Sequence, residues 1–340
     1  FTGPVVLIGN VSLATQGDVL FAGSVNSAQG SSFNLNVDAG TGALSFNGDV
    51  GSVSALAGFT SKSGLFQASN IAVSSGANGV ARIETTGVAS VSGSLGGARL
   101  IKAGTGTLSL SGVANVADIS IEAGRLRTLA ASGTQLQGVN SILVGTGGIL
   151  DLTPPQTANV TSIKSLSGTG RVELGDGKAL DIVSGLATDS FAGVFSGPTS
   201  STVKLSGGSL ALTGDTGFGG LFKVDGATLK LVGAGSIASA AGLEVGGRDG
   251  AVIDLAGVTA PSTTIRNFFT DTSTRAGSVL LGGTTLMIDT GTGSVGRNSL
   301  TFSGAGSIDK VGTGTLQLRG TNSHAGLTRV SAGVLDILTE

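Results

Sequence analysis

The sequence predicts an all-β chain wound as a right-handed parallel β-helix of roughly 15 rungs. Three observations carry this expectation. Short runs alternate strictly between apolar and polar residues, the composition is that of strands and turns, and one phrase recurs along the chain. That phrase is "KVGTGTLQLRG" at 310–320, "KAGTGTLSLSG" at 102–112 and, more loosely, "KLSGGSLALTG" at 204–214.

The alternation is clearest around Leu108, in Thr107-Leu108-Ser109-Leu110-Ser111, and around Leu316, in Thr315-Leu316-Gln317-Leu318-Arg319. A period of two sends the leucines to one face of a strand and the polar residues to the other. The same pattern recurs at "SLALT" (209–213), "TLKLV" (228–232), "ISIEA" (119–123), "VSGSL" (91–95) and "VLDIL" (334–338). Between such runs stand glycine-bearing turns, among them Asn47-Gly48, Asn78-Gly79, Asp176-Gly177, Asp225-Gly226 and Asp249-Gly250. These pairs supply a positive φ at low cost and let the chain leave one strand for the next. No stretch of a dozen residues carries the i, i+3, i+4 apolar spacing of a helix.

Composition agrees. Of 340 residues 60 are Gly, without a collagen period, and only 12% are charged, about half the usual share. So few charges leave little material for exposed helix faces. With 40% apolar residues and a mean hydropathy of +0.38, the chain has ample core material and is not a disordered segment.

The long repeat selects a solenoid over a sandwich or barrel. Lys102, Lys204 and Lys310 are followed by similar text, and "GTGTLSLSGVANVADISIEAGRLR" matches "GTGTLQLRGTNSHAGLTRVSAGVLDI" with little shift. Self-similarity of this kind marks stacked units whose cores are completed by their neighbours. The reading divides one continuous solenoid into segments 1–128, 129–232 and 233–340. It places Leu108, Leu210 and Leu316 in the core, and the three lysines at solvated corners.

The segment 312–337 resembles the passenger-associated repeat of bacterial autotransporters, with His324 where that repeat usually has Tyr. Residues 165–185 and 302–316 resemble stretches leading into it, and residues 10–51 are similar to repeats of filamentous-haemagglutinin-like surface proteins. The resemblance implies a β-helical passenger of a large surface protein, extracellular or on the bacterial cell surface. Any membrane attachment would then come through a barrel outside this segment. It implies no catalytic residue.

The residues argue against most chemistry. A net charge of −2 with scattered Lys and Arg gives no footprint for nucleic acid. Absence of Cys removes disulfides and thiolate metal sites. No apolar run reaches the length of a spanning helix. Phe1 opens directly in strand-like sequence, and the chain reads as an excerpt or a processed product.

"GTGSVG" (291–296) matches a dinucleotide-binding pattern by letter. However, the following Ser299-Leu300-Thr301-Phe302 reads as a strand where that site needs a helix. His324, the only histidine, falls in a turn with no nucleophile motif. Asp176, Asp181, Asp249 and Asp254 are the nearest approach to the carboxylate set of a carbohydrate-active β-helix. They divide between Asp-Gly turns and outward strand positions, and the Trp and Tyr platforms of sugar sites are missing. No catalytic residue, cofactor site or metal site is assigned, and no cofactor is expected.

One window breaks the rhythm. "PSTTIRNFFTDTSTRAG" (261–277) holds Arg266, Phe268, Phe269, Asp271 and Arg275 and is read as a candidate contact loop, with the alternative that its phenylalanines plug a wider rung. The expected function is a non-enzymatic body or stalk of an adhesin, facing a host-cell, matrix or neighbouring-cell surface. The alternatives are a unit that stacks copies of itself through terminal rungs into filaments, and a carbohydrate-active β-helix. Apolar strands at both boundaries, Val5–Ile8 and Val334–Ile337, favour either chain continuation or the docking of another copy.

Overall fold

In a computed structural model the chain is described over residues 1–129, 135–154, 159–183, 189–246, 250–270, 277–292 and 295–338. These residues form 37 strands and no helix. Most strands have two to six residues, and among the described residues they pair in parallel, between segments about 18 to 25 residues apart in the chain. That is a β-solenoid, and its coils amount to about 14 turns. The chain groups into two compact units, residues 1–163 with 170–173 and residues 164–169 with 174–340.

In the first unit the apolar alternation becomes columns. Leu44, Phe66, Ala89, Leu108, Leu126 and Leu150 are successive register partners and are all fully buried. A second column runs Leu35, Phe59, Ala81, Leu100, Ile119, Ile142. In both, a phenylalanine is followed by an alanine, so a large side chain is accommodated by a small one on the next turn. Phe1, Phe21 and Phe46 stack face to face with ring centroids 4.7 Å apart.

The second unit repeats the scheme with Leu180, Val203, Phe222, Leu243 and Phe268, and with Leu210, Leu229, Ile253, Val279 and Phe302. Leu108, Leu210 and Leu316 are all inside, as the alternation requires.

Turn side chains tie one coil to another. The Asn10 and Asn70 amide oxygens and an Asp18 carboxylate oxygen accept hydrogen bonds from the backbone N–H groups of Asn34, Ser94 and Ala43, at 2.9, 2.7 and 2.8 Å. Of the Asx-Gly pairs, Gly177, Gly226 and Gly250 take the expected positive φ. Gly48 and Gly79 do not, and serve a different need. A Cβ on Gly48 would lie 2.5 Å from the Ser24 backbone nitrogen.

The lysine reading is overturned. Lys102 and Lys310 are completely buried, at inward positions of their strands between Ile83 and Ile121 and between Ile288 and Val330. Each ammonium curls to the corner that follows it. Lys102 Nζ donates to the carbonyl oxygens of Ala103 (2.7 Å), Gly104 (2.8 Å) and Ala123 (3.1 Å). Lys310 Nζ donates to Val311 (2.6 Å), Gly312 (2.8 Å) and Ala332 (3.2 Å). An ammonium has three N–H donors and no acceptor, so three convergent carbonyls satisfy it completely. Lys204 differs from both. It points outward from the strand Thr202–Leu205 and pairs with Asp225 at 3.2 Å and Asp181 at 3.9 Å.

Burial lowers the pKa of Lys102 to about 8, against the opposing charge of Glu84, and lowers that of Lys310, against Asp289. Lys102 therefore remains an ammonium at neutral pH.

Two expectations follow. Leu316→Asp should cost at least about 3 kcal/mol in urea denaturation, because a carboxylate would be buried without a partner. Lys102→Met should cost about 2–4 kcal/mol at pH 7, since the three carbonyls of the corner lose their donor. In the unfolded chain Lys102 titrates near its ordinary 10.5, so from about pH 8 to 10.5 the unfolded state holds the proton more tightly. Folding stability then rises with pH across that window, in a chain with no Tyr or Cys to titrate there. The stability gap between wild type and Lys102→Met should stay flat from pH 6 to 8 and widen from pH 8 to 10. A gap that narrows above pH 8 would contradict this assignment.

Candidate functional site

The contact window does not form one loop over its described part. Ser262–Arg266 and Phe268–Thr270 are strands, joined by a sharp turn at Asn267. Asn267 has φ +40°, the only positive φ of a non-glycine among the described residues. Asparagine tolerates this conformation because its short amide can bond locally. Here the amide donates to the Ala241 carbonyl at 2.8 Å and accepts from the Gly291 N–H at 3.4 Å. Phe268 is buried, 6.2 Å from Phe302 in an edge-to-face arrangement. Arg266 is exposed and lies 3.9 Å from Asp289, its register partner. Asp271 and Arg275 lie outside the described residues.

Phe269 is half-buried on the outer side, and its position completes a column of charge. Asp181, Lys204, Lys223, Glu244 and Phe269 are successive register partners on the outer face of the second unit. Lys223 bonds Glu244 at 2.5 Å. The side chains of this face are thus engaged with one another, turn upon turn.

The first unit carries a denser cluster that sequence reasoning missed. Asp151 is buried in the strand Ser141–Leu152 and is reached by Arg125 at 2.8 Å and Arg127 at 2.7 Å, both from the strand Ala114–Thr128. It also accepts from the Thr153 N–H (2.9 Å) and hydroxyl (2.6 Å). Arg125 bridges on to Glu173 at 2.5 Å. Burial by itself would raise the Asp151 pKa. The Thr153 hydrogen bonds, then those from Arg127 and Arg125, outweigh it and hold the carboxyl below its ordinary value. The hydrogen bond to Glu173 is the main cause holding the Arg125 guanidinium above its usual range.

A carboxylate so held is an anion locked in place, unsuited to exchanging protons near neutral pH. The network spans successive turns, and its members are drawn from separate stretches of sequence. Only the turn length, which the sequence does not display, brings them together.

The other candidates separate. Asp176 accepts from the Ser200 hydroxyl, Asp181 from that of Ser206, and Asp254 from the Ala256 N–H. Asp249 lies outside the described residues. His324 Nε2 lies 2.9 Å from the Thr328 hydroxyl. "GTGSVG" runs directly into the strand Val295–Asn298, so no helix N-terminus is available for a phosphate. Among the described residues no three His, Cys, Asp or Glu side chains gather to hold a metal ion, and no helix is long and apolar enough to cross a membrane.

Asp151→Asn should cost about 3 kcal/mol at pH 7, because it leaves two guanidiniums facing a neutral amide. The folded carboxyl titrates below its ordinary 3.8, so its contribution is complete at neutral pH and is lost as the pH falls through that depressed value. Thermal denaturation of wild type and variant at pH 7 and pH 3 checks this. A difference that does not shrink in acid would refute it.

Comparison with known proteins adds one finding. The passenger-associated-transport-repeat family matches at residues 100–127 and 308–337. Neither the curated proteins nor the solved structures yield a match. Both matched stretches begin within two residues of a buried lysine and run on through the corner that it closes. The chain thus carries two copies of the repeat found in autotransporter passengers, one in each unit of the β-solenoid.

Proposed function

We propose that this chain is a non-enzymatic passenger segment of a bacterial surface protein, exported to the outside of the cell, where it serves as the body or stalk of an adhesin. The observation that carries the proposal is the coincidence of both passenger repeats with the same corner geometry on parallel coils. A repeat used in this way builds length and rigidity, because each turn shares its backbone bonds and its side-chain columns with the next. The outer faces support the same reading. Their charged side chains pair with each other in ladders, as at Asp181–Lys204 and Arg125–Asp151, so they maintain the surface of a scaffold. The partner would be a host-cell, matrix or neighbouring-cell surface.

Intact cells of the producing bacterium, probed with antibody against this segment, should be labelled without permeabilisation and should lose the label to added protease. Beads coated with the purified chain should bind cells or matrix, and the chain should release no reducing sugar from acidic polysaccharides with or without calcium. Labelling only after permeabilisation would overturn the export reading, and sugar release would overturn the non-enzymatic one.

A further inference from the structure

The two lysine corners are alike beyond the segments that match the repeat. One turn before Lys102 stands Ile83-Glu84-Thr85, and one turn before Lys310 stands Ile288-Asp289-Thr290. In each case the isoleucine is the register partner of the lysine, the acid is the charge that opposes the fall of its pKa, and the threonine is buried. Two residues after each lysine comes a left-handed glycine, Gly104 at φ +72° and Gly312 at φ +77°. One turn later comes an Ala-Gly pair, Ala123-Gly124 and Ala332-Gly333, whose alanine carbonyl receives the third ammonium bond.

Those last glycines cannot be replaced without displacement. A Cβ on Gly124 would lie 2.3 Å from the Gly106 oxygen and 2.8 Å from Lys102 Nζ. On Gly333 it would lie 2.3 Å from the Gly314 oxygen and 2.8 Å from Lys310 Nζ. The device therefore spans three turns and is built twice from the same parts.

A chain of this kind has a register problem. "TLSL", "TLQL", "SLAL" and "TLKL" are nearly interchangeable, and sliding one strand by two residues along its neighbour keeps every apolar side chain inside. Hydrophobic burial does not discriminate against that slip. A buried ammonium does: two of its acceptors lie in its own corner, but the third, the Ala123 or Ala332 carbonyl, belongs to the next turn and meets the ammonium in one alignment only. We infer that Lys102 and Lys310 are register pins, one in each unit, which select the native pairing of consecutive turns against two-residue slips. A polar group buried among apolar neighbours is known to serve this purpose where its partners exist in a single alignment. Lys204 supplies an internal control, since it follows the looser version of the phrase but points outward.

The chain has no cysteine, so paired cysteines can report register directly. Ile101 and Ser120 are outward register partners across the strands that Lys102 joins, whereas Glu122 lies two residues on. In otherwise wild-type protein, cysteines at 101 and 120 should form a disulfide during oxidative refolding, and cysteines at 101 and 122 should not. Adding Lys102→Met should raise the yield of the 101–122 disulfide several-fold at the expense of the 101–120 one. Adding Lys204→Met should change neither.

An unchanged 101–122 yield in folded Lys102→Met protein overturns the inference. Should that variant not fold, the same pairs are read in Lys102→Gln, whose amide keeps two donors. An unchanged yield there overturns it too. Failure of both variants to fold also overturns it, by making the lysine a residue of stability alone.

Discussion

Parallel pairing of each turn with the one before and the one after is the constraint from which the rest follows. Once successive coils lie in register, every side chain has two fixed neighbours above and below, and the core becomes a set of columns. A column accepts whatever its neighbours leave room for. Phe66 therefore stands over Ala89 and Phe59 over Ala81, and the phenylalanines cluster in a few places, with alanine, leucine and isoleucine filling the turns between. The same rule acts outside, where Arg127 meets Asp151 and Lys223 meets Glu244 because they share a position on consecutive turns. Packing inside and charge pairing outside are thus two results of one alignment.

The fold class was legible because its signal is local. Leu-x-Leu runs bounded by glycine turns are strands whatever their surroundings, and their recurrence points to stacking. The lysines were misread for a reason that is equally physical. Lys102 and Lys204 each stand six residues before a core leucine, yet one faces inward and the other outward. The difference lies in the corner between. The left-handed glycine comes two residues after Lys102, at Gly104, and four after Lys204, at Gly208. Alternation can be counted along a strand but not through a corner, because the corner resets which side is inside.

The charge network around Asp151 was illegible for a related reason. Its members are separated by whole turns, and turns here vary by several residues, so no spacing rule links Arg125, Asp151 and Glu173 in advance. The contact window was only partly legible. Its described part resolves into two strands around the left-handed Asn267, with Phe268 in the core beside its register partner Leu243.

Parallel stacking also limits how such a surface can be recognised. In the interior turns of each unit the strand N–H and C=O groups are spent on the coils on either side. Among the described residues of these turns no free backbone edge runs along the flank for an extended peptide to join as an added strand. Whatever binds there must be read through side chains alone: the serine and glutamine ladder of Ser45, Gln67, Ser90 and Ser109, the paired charges, and exposed aliphatics such as Leu65 and Val88. A partner suited to that flank would be one that presents a repeating pattern of its own at the spacing of the coils.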